Sequence, residues 1–479
     1  MGIFGRIDTF ITWFDGVVWG LPLIILILVT GIFLTVRLGL LQVRYLGKAL
    51  KFMVKNEEDG HGEVTSFGAL CTALSATIGT GNIVGVATAI SAGGPGALFW
   101  MILTAFLGMA TKYSEGLLAV KYRTIDEDGH VLGGPFYYIE NGMGVKFRWL
   151  AKIFAFFGAG VGLFGIGTFT QVNGISSAVC NFFDPDKVNT IALFGRDYSI
   201  ATIIAGLALT VCVGLVVIGG LKRIASVSQV VVPFMAIIYF VFAFIVIITH
   251  ITALPAAIVT IVKSAFTGSA LAGGAAGTMV VAMQKGIARG IFSNEAGLGS
   301  APIAAAAAQT HSTVRQGLVS MTGTFIDTIV ICTMTGLTIV ITGTWNTGLE
   351  GVAITTAAFQ KGLPFPPAVA SLVLMVCLVF FAFTTILGWN YYGERCIEYL
   401  FNRNKKVVKG YRWLYILAIF IGPYMTVEAV WNIADIFNAL MAFPNLIALI
   451  ALSPVVFAET KAFFGKQKAK VKSAEVQAN

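Results

Sequence analysis

The chain has 479 residues, of which 57% are hydrophobic and 11% charged, with a net charge of +9. A soluble domain carries charged residues at roughly 25%, so too little polar surface remains here to cover a soluble particle, whereas a bilayer tolerates exposed apolar side chains. The positive charge comes without aromatic–basic interleaving, which argues against a nucleic-acid surface and for basic cytoplasmic loops; six scattered cysteines and four histidines make neither a C-x-x-C pair nor a metal constellation.

A bilayer-spanning helix needs about twenty mainly apolar residues. On that criterion eleven spans are predicted: 17–36, 66–91, 95–120, 150–180, 199–219, 226–250, 278–309, 315–342, 365–398, 412–433 and 435–458. The first lacks a small-residue cleavage site and reads as a retained helix. After it, Leu46, Ala49, Leu50 and Met53 fall at i, i+3, i+4 and i+7, beside a stripe of Arg44, Lys48, Lys51 and Lys55. This predicts a short amphipathic helix on the anionic inner leaflet. The stretch 251–277, with Pro255 and clustered glycines, predicts an interfacial or re-entrant piece. Basic residues crowd one set of loops: Arg37 to Lys55, Lys121 to Arg148, Lys222 and Arg223, Arg315, Arg403 to Arg412, and the tail from Lys461. The positive-inside rule then places the N-terminus outside and the C-terminus in the cytoplasm.

Spans two and seven differ from the rest. Span two carries Ser75-Ala76-Thr77-Ile78-Gly79-Thr80-Gly81-Asn82 at its centre, and span seven carries the polar, glycine-rich run from Arg289 to Ser300. Such residues are poor helix formers, and Arg289 and Glu295 at membrane depth are costly unless paired or facing water. A single Gly-x-Gly could simply allow tight helix packing. Two polar runs, five spans apart, predict two discontinuous helices instead. Spans two to six and seven to eleven then form two blocks of five, and because five is odd the blocks are inverted relative to one another. That is the architecture of secondary transporters, with span one accessory. The predicted division is 1–64 (accessory and amphipathic helices), 65–277 (first repeat and following loop), 278–460 (second repeat) and 461–479 (basic cytoplasmic tail).

At a helix break, freed N–H groups bind a carboxylate and freed carbonyls bind a cation. A zwitterionic amino acid with a cation beside it needs both. Four other acids lie in or near spans: Glu115, Asp327, Glu394 and Glu428. Pairing with Lys112 or Arg395 at helix ends is expected of them, with proton relay as the alternative.

These residues resemble the alanine or glycine:cation symporter family of the leucine-transporter fold, over nearly the whole chain. The strongest pieces are Gly93-Gly94-Pro95-Gly96-Ala97-Leu98-Phe99-Trp100-Met101 and Gly290-Ile291-Phe292-Ser293-Asn294-Glu295-Ala296-Gly297-Leu298-Gly299-Ser300. Supporting pieces are Ala76 to Asn82, Ala110 to Glu115 and Gly388 to Glu394; Ile102 departs from the family's usual second Trp, at a helix start away from any site. The resemblance implies an all-α membrane fold with about eleven transmembrane helices, arranged as an accessory helix and a 5+5 inverted repeat. It further implies that substrate carboxylate meets the turn Gly79, Thr80, Gly81 and Asn82, and that Gln171 hydrogen-bonds the substrate. Phe292, Ser293, Asn294, Thr385, Ile386 and Trp389 would form the other walls, the indole limiting the pocket to small side chains. A Na+ ion would be held by oxygens of Ser75, Ile78, Phe381, Thr384 and Thr385, a set without carboxylates that suits a monovalent ion better than Ca2+.

The function so implied is Na+-coupled symport of a small neutral amino acid, alanine or glycine, across the plasma membrane. Na+ is the coupling ion, membrane lipid the surrounding partner, and no organic cofactor, nucleic acid or obligatory protein partner is expected. Proton coupling and, less favoured, an amino acid channel are the alternatives. An enzyme would need a metal cluster, a nucleophile with its base, or paired acids at depth, and the sequence offers none.

Overall fold

The protein is described by a computed structural model covering residues 3–55, 61–127, 129–193, 196–267, 279–425 and 427–478. It is helical almost throughout. α1 (Ile3–Val18) and α2 (Leu21–Arg37) form the accessory span, and α3 (Leu46–Val54) is the amphipathic helix. The first block comprises α4 (Ser66–Thr77), α5 (Val86–Gly93), α6 (Gly96–Lys121), α7 (Arg148–Phe164), α8 (Phe169–Phe183), α9 (Ile200–Val217) and α10 (Gly220–Thr249), followed by α11 (Leu254–Thr267). The second comprises α12 (Met279–Asn294), α13 (Ala301–Ala306), α14 (Thr313–Thr324), α15 (Thr333–Thr342), α16 (Val352–Gly362), α17 (Pro367–Leu400), α18 (Lys405–Ile421) and α19 (Val427–Ala451). α20 (Ser453–Ala478) closes the chain. Two small antiparallel hairpins, β1 (Thr124–Ile125) with β2 (Val131–Leu132) and β3 (Thr190–Leu193) with β4 (Arg196–Ser199), tie down loops.

Among the described residues eight helical segments are long and apolar enough to cross a membrane, or nine when α4 and α5, bent by 50° at their break, count as one span. Of the remaining predicted spans, α18 runs 17 residues, and span seven is divided into α12 and α13.

Two boundaries differ from the sequence expectation. Span four is not continuous: α7 stops at Phe164 and α8 starts at Phe169. The loosened turn is held by Thr168 Oγ1 donating to Leu163 O (2.6 Å) and by the Tyr415 hydroxyl donating to Gly167 O (2.7 Å). Spans ten and eleven divide at Gly422–Tyr424 rather than near residue 434, because Pro423 cannot continue the hydrogen-bond ladder of α18. The 14-residue α11 is too short to span, and 268–277 of the predicted re-entrant piece lie outside the described residues.

α3 packs onto protein. Ala49 is buried, the Arg315 guanidinium lies 4.7 Å over the Phe52 ring, and Tyr45 stacks on Phe464 of α20 at 3.9 Å. Lys51 and Lys55 stay exposed on its other face. In the core, α6 lies along α14 and α12, while α17 lies along α7, α8 and α10. The two broken helices meet there: a Cβ added to Gly81 would stand 3.2 Å from Ser293 Cα. Two π-helical stretches, Gly81–Gly85 and Phe325–Cys332, flank the junction. Such turns release main-chain groups from the regular ladder and cluster at functional sites.

Candidate functional site

α4 ends at Thr77, and Ile78 is extended (φ −77°, ψ 94°), so the chain leaves carbonyls and N–H groups without intrahelical partners. Side chains take them up, two of them from distant helices. Ile78 O accepts the Thr385 hydroxyl (3.2 Å), Gly79 N–H donates to Asn82 Oδ1 (2.8 Å) and Thr80 N–H donates to Gln171 Oε1 (3.0 Å). Only glycine fits at 79, since a Cβ would stand 2.5 Å from Thr385 Oγ1. Gln171, expected at the substrate, here fastens the break to α8. Among the described residues the Thr80 hydroxyl is buried without a hydrogen-bond partner.

The opposite break begins where α12 ends. Glu295 adopts a left-handed conformation (φ 56°), as do Gly297 and Gly299, and a non-glycine residue there stores strain of the kind found at ligand sites. Asp327, from the π-helical stretch, joins the two breaks: Asn82 Nδ2 donates to its Oδ1 (2.7 Å) and the Ser293 hydroxyl to its Oδ2 (2.9 Å). Asn294 Nδ2 donates to Thr328 Oγ1 (3.0 Å). Asp327 is thus a site residue that the sequence reading left among the acids expected to pair at helix ends. Its signal was a lone carboxylate in mid-span. The other acids also find different partners: Glu394 is held by Arg412 (2.7 Å, twice) rather than Arg395, and Glu115 accepts from Asn445 Nδ2 (2.7 Å). Among the described residues Lys112 Nζ is buried without a hydrogen bond, and the Glu428 side chain lies outside them.

The five residues expected to hold the cation are all buried. The Thr384 and Thr385 hydroxyls each lie 3.0 Å from Phe381 O, and Thr385 also reaches Ile78 O, so four of the five join one network of neutral oxygens. The Ser75 hydroxyl turns back to Thr72 O (2.8 Å), which leaves its carbonyl as the group an ion could use. An all-oxygen set with no cationic side chain in it fits a hard monovalent cation. Among the walls, Trp389 is buried and donates to Glu295 Oε1 (2.8 Å), Ile386 O accepts the Tyr415 hydroxyl (2.7 Å), and Phe292 lies 5.5 Å under Arg289, which forms a two-pronged pair with Asp435 (3.0 and 2.6 Å).

A cavity of about 580 Å³ reaches the break, with Thr80, Thr170, Asn173, Arg289, Glu350 and Asn432 on its lining. Of the predicted site residues Thr80 lines it; the others are buried. The opposite end is closed. Arg123 donates to the carbonyls of Ala306 (2.6 Å), Ala308 (2.7 Å), Thr310 (2.9 Å) and His61 (2.7 Å), and Gln309 N–H donates to Val64 O (2.8 Å). The segment before α4 is thereby fastened to the segment after α13.

His130 extends that closure. Its Nδ1 lies 2.9 Å from Glu63 and its Nε2 3.2 Å from Glu398, with Arg395 against the same ring and Asp126 on its main-chain N–H. Two carboxylate acceptors require two donors, which only the imidazolium supplies. The bonds to Glu398 and Glu63 raise its pKa from 6.5 to about 9. The bridge therefore contributes fully below pH 6.5 and is lost as pH rises through about 9. The melting temperature in detergent is expected to fall across that range, and His130→Ala to flatten the fall. An unchanged slope in the variant would refute the bridge.

Two broken helices meeting at the centre of a helix bundle, with a cavity on one side and a fastened closure on the other, define a secondary transporter. Residues 5–478 match the model of the sodium:alanine symporter family, and the chain belongs to that family; it is an amino acid transporter and not an enzyme. It is 47% identical over 467 residues to the sodium/alanine symporter AgcS of Methanococcus maripaludis, covering 95% of this chain and 97% of that one. It is 53% identical to an uncharacterized transporter of Haemophilus influenzae (96% and 97% covered), and 38% identical to the probable sodium/glutamine symporter GlnT of Bacillus subtilis (95% and 90%). Its fold is shared with MhsT, solved in complex with L-phenylalanine, at a TM-score of 0.54 and 11% identity over 84% of this chain and 99% of that one. The leucine-transporter-like inverted repeat with an accessory first helix is therefore the fold of this protein.

Proposed function

We propose that this protein couples inward flow of Na+ to uptake of a small neutral amino acid, alanine or glycine, by alternating access. The observation that carries the reading is the meeting of Ile78 O, Phe381 O and the Thr384 and Thr385 hydroxyls at the first break. Na+ seated there would replace hydroxyl–carbonyl hydrogen bonds, draw the end of α4 to α17 and order the turn Gly79 to Asn82. The substrate carboxylate would then take Thr80 N–H from Gln171 and use the unpartnered Thr80 hydroxyl, at the positive end of the second half-helix. Trp389, pinned by Glu295, would bar long side chains, and Asp327 would tie the two breaks together through Asn82 and Ser293. That relatives are named for sodium with alanine and sodium with glutamine supports a common ion and a variable side-chain pocket. Basic loops at the fastened end support a cytoplasmic position for it, with the N-terminus outside the plasma membrane and the cavity opening outward. Proton coupling is the second reading, favoured by Asp327, Glu115 and Glu295, which are all fully buried.

Radiolabelled alanine uptake into proteoliposomes, at zero membrane potential and zero pH gradient, tests the reading. Accumulation driven by an inward Na+ gradient alone is expected. Accumulation driven by a proton gradient instead would move the coupling to H+, and equilibration without accumulation under either gradient would sink both readings in favour of a channel.

A further inference from the structure

A dense group of charged side chains outside the substrate and cation sites lies where α7 begins and α17 ends. There Arg148 and Lys152 of α7, and Arg403 just past α17, line a polar cavity of about 350 Å³ together with Glu140 and Glu398. Both carboxylates are already satisfied. Glu140 takes Arg148 Nε (2.8 Å) and the Tyr399 hydroxyl, while Glu398 takes Arg395 (2.6 Å) and His130. Among the described residues Lys152 forms no ion pair, while Arg403 pairs with Asp126 at 3.7 Å and hydrogen-bonds Tyr137 on the cavity wall. Asn402 and Arg403 both hold a left-handed backbone (φ 49° and 63°). That conformation is strained for a non-glycine residue, and it forms the turn that returns Arg403 to the cavity wall.

The membrane-facing side of α7 continues from this cavity. Trp149, Ile153 and Phe156 are 58%, 38% and 61% exposed, and spacings of four and three place them on one stripe. Lys146, Lys405 and Lys406 are exposed at the same end. A basic polar cavity at the interface, continued by an apolar stripe at membrane depth and a Trp between them, matches one amphiphile: a phospholipid with an anionic headgroup. We propose that this cavity binds the phosphate headgroup of an anionic phospholipid between Lys152 and Arg403, with an acyl chain along Trp149, Ile153 and Phe156. The site is independent of the substrate site, so it stands whichever ion drives transport.

The test uses the full-length protein, delipidated in detergent and titrated with dioleoyl-phosphatidylglycerol or dioleoyl-phosphatidylcholine, with retained lipid counted by native mass spectrometry. One phosphatidylglycerol should be retained at least about tenfold more tightly than phosphatidylcholine. Lys152→Glu combined with Arg403→Glu should weaken it by about tenfold or more, at roughly 1 kcal/mol per basic residue near the surface. Lys222→Glu combined with Arg223→Glu, on another basic loop, should leave it unchanged. Should the first double variant fail to elute as a monodisperse protein, Lys152→Gln with Arg403→Gln replaces it, with a smaller loss expected. Equal retention of the two lipids, equal loss in both double variants, or displacement of the lipid by inorganic phosphate alone would each overturn the proposal.

Discussion

Thr384→Ala combined with Thr385→Ala is expected to raise the Na+ concentration for half-maximal alanine uptake by about tenfold or more, with the protein still folded. The two hydroxyls are the side-chain oxygens of the proposed cation set, and a hydrogen-bonding or dipolar contact to a charge is worth roughly 1.5–3 kcal/mol. Their present partners include main-chain carbonyls of their own helix. Those groups keep their ladder bonds when the hydroxyls go, so the cost to stability should be small beside the loss of Na+ affinity. Initial uptake rates measured against Na+ concentration decide the matter. A double variant with unchanged Na+ dependence would remove α17 from the cation site, whereas Thr385→Ser should retain most of the affinity by keeping the oxygen and losing a methyl group.

Gly79→Ala is expected to abolish Na+-driven uptake, by a factor of about one hundred or more, while altering the melting temperature by only a few degrees. The added methyl would stand 2.5 Å from Thr385 Oγ1 and 3.0 Å from Gln171 Oε1. Thr385 is β-branched and stiff at χ1, and its hydroxyl bonds both Ile78 O and Phe381 O, so the break rather than the threonine must shift. A displacement on the order of 1 Å at a site where positioning matters costs about a hundredfold. Scintillation-proximity binding of alanine alongside uptake separates the possibilities: normal binding and uptake in Gly79→Ala would mean that the close approach of α4, α8 and α17 has no part in the transport cycle.

The elements legible in the sequence were those whose signal is local. Composition placed the chain in a bilayer, and the runs around Ile78 and Glu295 announced broken helices because Gly, Ser, Thr and Asn lower helix propensity within a few residues of one another. The break between α7 and α8 left a weaker trace. Gly158, Gly160, Gly162, Gly165 and Gly167 look like a packing seam, and what opens the turn is the Tyr415 hydroxyl, which donates to Gly167 O from a helix 248 residues away. Gly422-Pro423 was visible, yet the apolar residues on both sides hid it within one long hydrophobic run.

The sequence by itself determined the class of this protein, the place of its two principal helix breaks and the polar residues gathered there, because hydropathy and helix propensity act over a turn or two of chain. Tertiary structure alone decided which groups those residues serve. Gln171, expected to meet substrate, holds Thr80 N–H; among the described residues Lys112 lacks the hydrogen-bonded acid expected of it, and Glu394 pairs with Arg412 rather than its neighbour Arg395. Asp327 enters the site because Asn82 lies 245 residues earlier and Ser293 on a third helix, both within hydrogen-bond reach. In a buried, low-dielectric interior an unpaired polar group is expensive, so each break recruits whatever donor or acceptor the packing brings near. That choice is made by the geometry of facing helices, which residue spacing along one chain does not record.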